Sequence, residues 1–255
     1  MWRALRVLAA GVFGATIVTG AGLAGHYLLE AEELHIYTVD IQRTAPAAVG
    51  HSPATPERVS TTQLRHLADV RTGQHVATVN TSNVARAIAR HPWVDEVTVR
   101  IELPSMLRVV VTEHEPVMLL ALDAMWYVDA DGQPFHRADT ADMDYPILTG
   151  LDSALVDEHP ELASAVVGRA LGVLADAAAP PLHGTGAISE VRFHRRTGFT
   201  LVLRSGTELM LGFAEPAAQL SRLDRMVRQG LDLRTPQRVD LNAEAVAIAT
   251  PLPNM

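Results

Sequence analysis

The 255-residue chain has no cysteine. It therefore carries no disulfide, no thiolate metal site and no cysteine nucleophile. Basic residues are also in short supply, 21 against 29 acidic ones, for a net charge of -8. That balance argues against a general nucleic-acid binder, which presents a basic patch. Catalytic signatures are missing as well. The eleven histidines are scattered, with no HExxH or clustered metal-ligand spacing, so they read as surface or strand-edge side chains. His114-Glu115-Pro116 cannot continue a helix towards a second ligand. Asp129-Ala130-Asp131-Gly132 begins like a calcium loop but lacks the third acidic position, the glycine spacing and the closing glutamate; it reads as a hairpin turn. There is no Gly-x-Ser-x-Gly elbow, no phosphate-cradling glycine loop and no carboxylate pair placed for acid/base work. No cofactor, metal, small-molecule substrate or enzymatic activity is expected.

What is present begins at the N-terminus. Val7 to Gly25 is a run of 19 residues without a charge, close to the ~20 a membrane-spanning helix needs. Arg3 and Arg6 precede it, and Glu30, Glu32 and Glu33 follow, which puts the N-terminus in the cytoplasm and the rest outside. A cleaved signal peptide is the rival reading, but its apolar core is usually only ~7–15 residues. The expectation is a cytoplasmic tail at 1–6, a transmembrane helix at 7–29 and an extracytoplasmic remainder.

Ile36 to Arg43 alternates as a short strand, and Thr44 to Pro56 is a Pro- and Ala-rich loop. Ser60-Thr61-Thr62-Gln63 fits a capping box and opens a short helix with Leu64 and Leu67 inward. A second helix, Ser82 to Arg90, sets Val84, Ala87 and Ile88 on one face and ends at Pro92. Two period-two strands follow: Val97, Val99 and Ile101, then Leu107, Val109 and Val111. This β-α-α-β-β order suits two helices on one face of a three-stranded sheet. Beyond Pro116, strands are expected at Val117–Leu122, Met125–Asp129, around Phe135 and at Tyr145–Leu148. A helix follows at Glu161–Ala178, then strands at Ile188–Phe193, Phe199–Arg204 and Glu208–Leu211. A helix at Pro216–Gln229 has Leu220, Leu223 and Val227 inward, and the last strands are Val239–Leu241 and Ala245–Ala249. Trp93 and Trp126 read as packing residues. The fold class is α+β: an anchor, a small mixed domain at 35–115, a mainly antiparallel β domain with two helices at 116–250, and a tail at 251–255.

The stretch His91-Pro92-Trp93-Val94-Asp95-Glu96-Val97-Thr98-Val99-Arg100, with Leu103-Pro104-Ser105-Met106-Leu107-Arg108 and the run to Val117, resembles the POTRA domain of the bacterial division family FtsQ/DivIB. Trp126-Tyr127-Val128-Asp129-Ala130-Asp131-Gly132, Tyr145-Pro146-Ile147-Leu148-Thr149-Gly150 and Val239-Asp240-Leu241 resemble that family's later motifs. The resemblance implies a single-pass inner-membrane scaffold at the division septum, without enzymatic activity. It implies assembly with the small coiled-coil membrane proteins FtsB and FtsL and other divisome components, and so an influence on septal peptidoglycan synthesis. In that family FtsB adds a strand to the distal sheet edge, so that free backbone groups pair with an incoming strand. The corresponding residues here are Ala243, Glu244, Ala245, Val246, Ala247, Ile248 and Ala249, with Arg222, Arg225 and Met226 beside them. Two positions depart from the pattern: Asn242 stands where an Asp-Leu-Arg run is common, and Ala218-Gln219 replaces a frequent lysine.

Two other functions compete. A POTRA-containing envelope assembly or secretion factor would usually carry POTRA repeats and a barrel, for which the chain has no room. An extracytoplasmic enzyme would need a convergent catalytic constellation, which the motifs do not supply.

Overall fold

A computed structural model of the chain describes residues 34–44, 58–139, 144–178, 182, 188–242 and 248–251. The expected membrane segment lies outside them; among the described residues no helix is long and apolar enough to cross a membrane. The chain divides into two compact units, one ending at Glu113 and one beginning at His114.

The first unit runs β1 (His35–Ile36), β2 (Thr38–Thr44), α1 (Thr61–Ala68), β3 (Gln74–His75), α2 (Thr81–Ile88), β4 (Val94–Glu102) and β5 (Met106–Glu113). The sheet order is β2-β5-β4, with β2 parallel and β4 antiparallel to β5. The expected first strand is broken at Tyr37, because the amides of Tyr37 and Thr38 both turn to the Ser105 carbonyl. The residues before the break pair with β3 instead. The capping box forms: Ser60 accepts from the Gln63 amide, and Gln63 reaches back to the Ser60 amide. Leu64, Ile88, Leu107, Val109 and Val111 are fully buried, so the period-two face of β5 meets the apolar faces of the helices. Glu113 ties together the two sides of the segment 45–57. It accepts from the Arg58 amide at 3.0 Å and lies 3.5 Å from Arg43, whose guanidinium also donates to the Val59 carbonyl. The Arg58 guanidinium sits 4.7 Å above Trp93, which is buried as expected.

The second unit contains β6 (Met118–Ala121), β7 (Met125–Val128), β8 (Pro134–Arg137), β9 (Ile147–Thr149), α3 (Ser153–Glu158) and α4 (Pro160–Ala177). It continues with β10 (Ile188–His194), β11 (Gly198–Leu203), β12 (Glu208–Gly212), α5 (Pro216–Arg228), β13 (Gln237–Asp240) and β14 (Ile248–Pro251). One nine-stranded sheet takes the order β14-β13-β12-β11-β10-β9-β6-β7-β8. Pairing is antiparallel except at β6–β9, β9–β10 and β12–β13. The two-helix expectation is corrected to three, because Asp152 caps α3 by accepting from the Leu155 amide.

The two faces of this sheet differ. On one, Leu120, Leu148, Val191, Leu201, Leu209 and Val239 pack with Val166, Ala170 and Val173 of α4 and Leu220 and Leu223 of α5. On the other, Leu119 and Tyr127 are buried near β8. There Phe135 stacks on Tyr127 and, at 4.4 Å between centroids, on His114. His114 also reaches Asp129 at 3.0 Å. His114 follows the end of β5 and is half-buried, so of the two expected settings, surface or strand edge, it is not on the open surface. The other oxygen of Asp129 accepts the amides of Asp131 and Gln133, which makes the expected hairpin turn. Further along the same face, towards β13, the side chains are charged.

A sheet edge held at its root by helix α5

β14 forms one edge of the large sheet. It runs antiparallel to β13, with Asp240 opposite Ile248, Val239 opposite Ala249, Arg238 opposite Thr250 and Gln237 opposite Pro251. β14 takes in Ile248 and Ala249 of the expected last strand and continues to Pro251, which was expected to belong to the tail. Proline lacks a ladder donor and is tolerated at edges, so it can close this strand. Ala243, Glu244, Ala245, Val246 and Ala247 lie outside the described residues.

The root of the edge is where β13 ends. The Leu241 amide donates to the Met210 carbonyl at 2.9 Å. Its own carbonyl accepts from Arg222 at 3.2 Å and from Gln219 at 3.5 Å. Gln219 also donates to the Leu211 carbonyl, so one buried amide spans the ends of β12 and β13. A buried carbonyl left without a donor costs roughly 1–3 kcal/mol, which is why a polar side chain stands on the inward side of an amphipathic helix. Gly212 ends β12 at φ +66°, and a Cβ there would lie 1.9 Å from Asn242 Oδ1. The Asn242 amide donates to Asp240 Oδ1 at 2.9 Å. Gln219 and Asn242, both singled out in the sequence, thus meet where β13 ends.

The three helix residues named from the sequence separate in role. Arg222 is half-buried and holds the chain at Leu241. Met226 is half-buried and packs against the core. Arg225 is exposed. The loop before α5 is pinned by Arg169, which bonds Glu215 at 2.9 Å and the Ala214 carbonyl at 2.6 Å.

A ladder of charges crosses the sheet beside this edge. Glu208 on β12 accepts from Arg238 on β13 at 2.7 Å and from Arg192 on β10 at 3.3 Å. Arg192 also bonds Glu190, which accepts from Thr149 on β9. Burial pushes the Glu208 carboxyl up, but its bonds to Arg238 and Arg192 outweigh this and hold it below the usual carboxylate range. The Arg192 guanidinium is held above its ordinary value, chiefly by the bond to Glu190. Sequence reasoning missed this ladder. Its one signal is that Glu190, Arg192, Glu208 and Arg238 are charges of both signs at outward positions of β10, β12 and β13.

Residues 55–114 match the family described as POTRA domain, FtsQ-type, and residues 121–242 match the one described as Cell division protein FtsQ/DivIB, C-terminal. The second match stops at Asn242, before β14. The chain is 32% identical over 228 residues to Cell division protein FtsQ of Myxococcus fulvus, covering 89% of this chain and 76% of that one. It is 34% identical over 180 residues to the protein of that name from Anaeromyxobacter sp. strain K, covering 70% and 59%. With the one from Geobacter sp. strain M21 the figures are 26% over 222 residues, 86% and 78%.

Proposed function

Because the chain belongs to the FtsQ/DivIB family of cell division proteins, we propose that it is a membrane-anchored, non-enzymatic scaffold of the division machinery whose partner adds a strand at β14. Residues 7–29 hold it in the membrane, 35–115 form the POTRA domain and 116–250 form the distal domain. The partner is a small coiled-coil membrane protein of the FtsB or FtsL type. The observation that carries this reading is the end of the nine-stranded sheet: β14 has a strand on one side only among the described residues. Such an edge presents backbone donors and acceptors to an extended segment. The half-buried Arg222 and buried Gln219 stiffen its root, which lowers the ordering cost of binding. Exposed Arg225 offers a charge to an acidic residue of the partner.

The test is partner capture from detergent-solubilised membranes by the full chain and by Ile248→Pro. The proline removes one donor from the edge strand, and capture is expected to fall at least tenfold. Undiminished capture by a folded Ile248→Pro chain would sink the strand-addition reading.

A further inference from the structure

In the first unit two large apolar side chains stand exposed among the described residues, Leu103 at 71% and Tyr37 at 55%. They lie at the same end of the three-stranded sheet. Leu103 is in the turn between β4 and β5, and the Tyr37 and Thr38 amides donate to Ser105 of that turn at 2.9 and 3.3 Å. The register agrees, since Met106 faces Thr38 on one side and Glu102 on the other. The loop before β3 joins them through the Gly73 amide, which donates to Ile36 at 2.8 Å. The chain also enters the unit at this end, at His35.

We infer that this end of the first unit is a lipid-contact surface, with Leu103 dipping into the interface of a phospholipid bilayer and Tyr37 at the level of its headgroups. The inference rests on the membrane-anchor reading above. Leu29, the last residue of the expected anchor, is eight positions before Tyr37, a span of at most about 28 Å fully extended. So short a tether holds the surface at an effective concentration on the order of millimolar against the membrane. Contacts too weak to bind from solution are then occupied. The chemistry suits an interface rather than a hydrocarbon core. Tyrosine favours the headgroup boundary, and an interfacial layer of about 5–7 Å on each side accommodates one turn residue. Glu102, the acid nearest the turn, is bonded to Arg108 at 2.9 Å. The connecting chain carries Glu30, Glu32 and Glu33, so attraction to anionic lipid does not drive the contact. It is apolar and insensitive to salt.

The absence of cysteine makes the test direct. Leu103→Cys and Glu96→Cys are each labelled with a nitroxide in the full chain, reconstituted in phosphatidylcholine vesicles. Glu96 is exposed and lies on β4 at the end away from the turn. Collision with dissolved oxygen and with a water-soluble nickel chelate is compared. At position 103 oxygen access should exceed nickel access, in low and high salt alike, while position 96 reads as water. A water-like signal at 103 in a chain that floats with the vesicles overturns the inference and leaves the anchor standing. Oxygen preference that vanishes in high salt overturns the apolar contact. A chain that does not float with the vesicles overturns the anchor reading and removes the tether the surface needs.

Discussion

β8 and β14 are the two edges of one sheet, and both are four residues long. They are guarded differently. β8 starts with Pro134, and its Phe135 is stacked between His114 and Tyr127. Its Arg137 pairs with Asp123 at 3.2 Å and lies over Trp126. Proline and charge on an edge are the usual means of blocking further pairing. β14 has proline only at its last position, and its Thr250 is exposed. Next to it, the end of β13 is fixed by Gln219 and Arg222 on the Leu241 carbonyl, and Gly212 and Asn242 approach closely there. One edge is closed by its own side chains. The other has a strand on one side only among the described residues, and the strand beside it is fixed by helix α5.

The largest effect that would break this contrast is expected at Gly212. A β-branched side chain at φ +66° costs roughly 1–3 kcal/mol, and its Cβ would collide with Asn242. In Gly212→Val, hydrogen-exchange protection of β12 and β13 amides should fall about 10- to 100-fold. Amides of β7 and β8 should change far less. Equal losses at both ends would mean that the edges open as one unit, and the contrast would fail.

This contrast was only partly legible from sequence. Local signals carried well: the Ser60–Gln63 box, the alternation through Leu107, Val109 and Val111, and the helix with Leu220 and Leu223 inward all appear as expected. Each depends on residues close in sequence. The parallel pairing of β12 with β13 did not show, because it depends on which strands become neighbours across α5. Nor did the clamp, since Gln219 looks like any polar residue until the Leu211 and Leu241 carbonyls are placed beneath it. α3 was missed for another reason: six residues are too few for a periodic signal, although Asp152 was there to cap them. At the edge strand, Ile248 and Ala249 appear as expected, and the strand runs on to Pro251, where proline had suggested a tail.

A smaller effect is expected from the charge ladder, which links β12 to β13 but does not extend to β8. The folded-state pKa of Glu208 lies below its ordinary value. Its contribution is therefore present above the usual carboxylate range and lost as pH falls through the depressed folded value. Such half-exposed pairs contribute about 0–1 kcal/mol each. Glu208→Gln should lower β13 protection modestly at neutral pH and flatten its acid dependence, while β8 protection stays unchanged. Hydrogen exchange across the acid range reads both. An unaltered acid slope for β13 would show that the ladder does not support the β14 side.

The smallest effect is expected at the guarded edge. Arg137 and Asp123 are both more than half exposed, so solvent screens the pair, and a surface ion pair of this kind contributes about 0–1 kcal/mol. Contact with Trp126 at 5.6 Å adds little at an exposed site. Arg137→Ala should therefore leave unfolding by urea almost unchanged. Its consequence should appear in association instead. When Pro134→Thr is added, the β8 edge gains a donor and loses its charge, and weak concentration-dependent self-association should become visible by sedimentation velocity. If the double variant stays monomeric at every concentration at which the parent does, Pro134 and Arg137 are not what closes this edge. The burial of Phe135 between His114 and Tyr127 would then be its remaining guard.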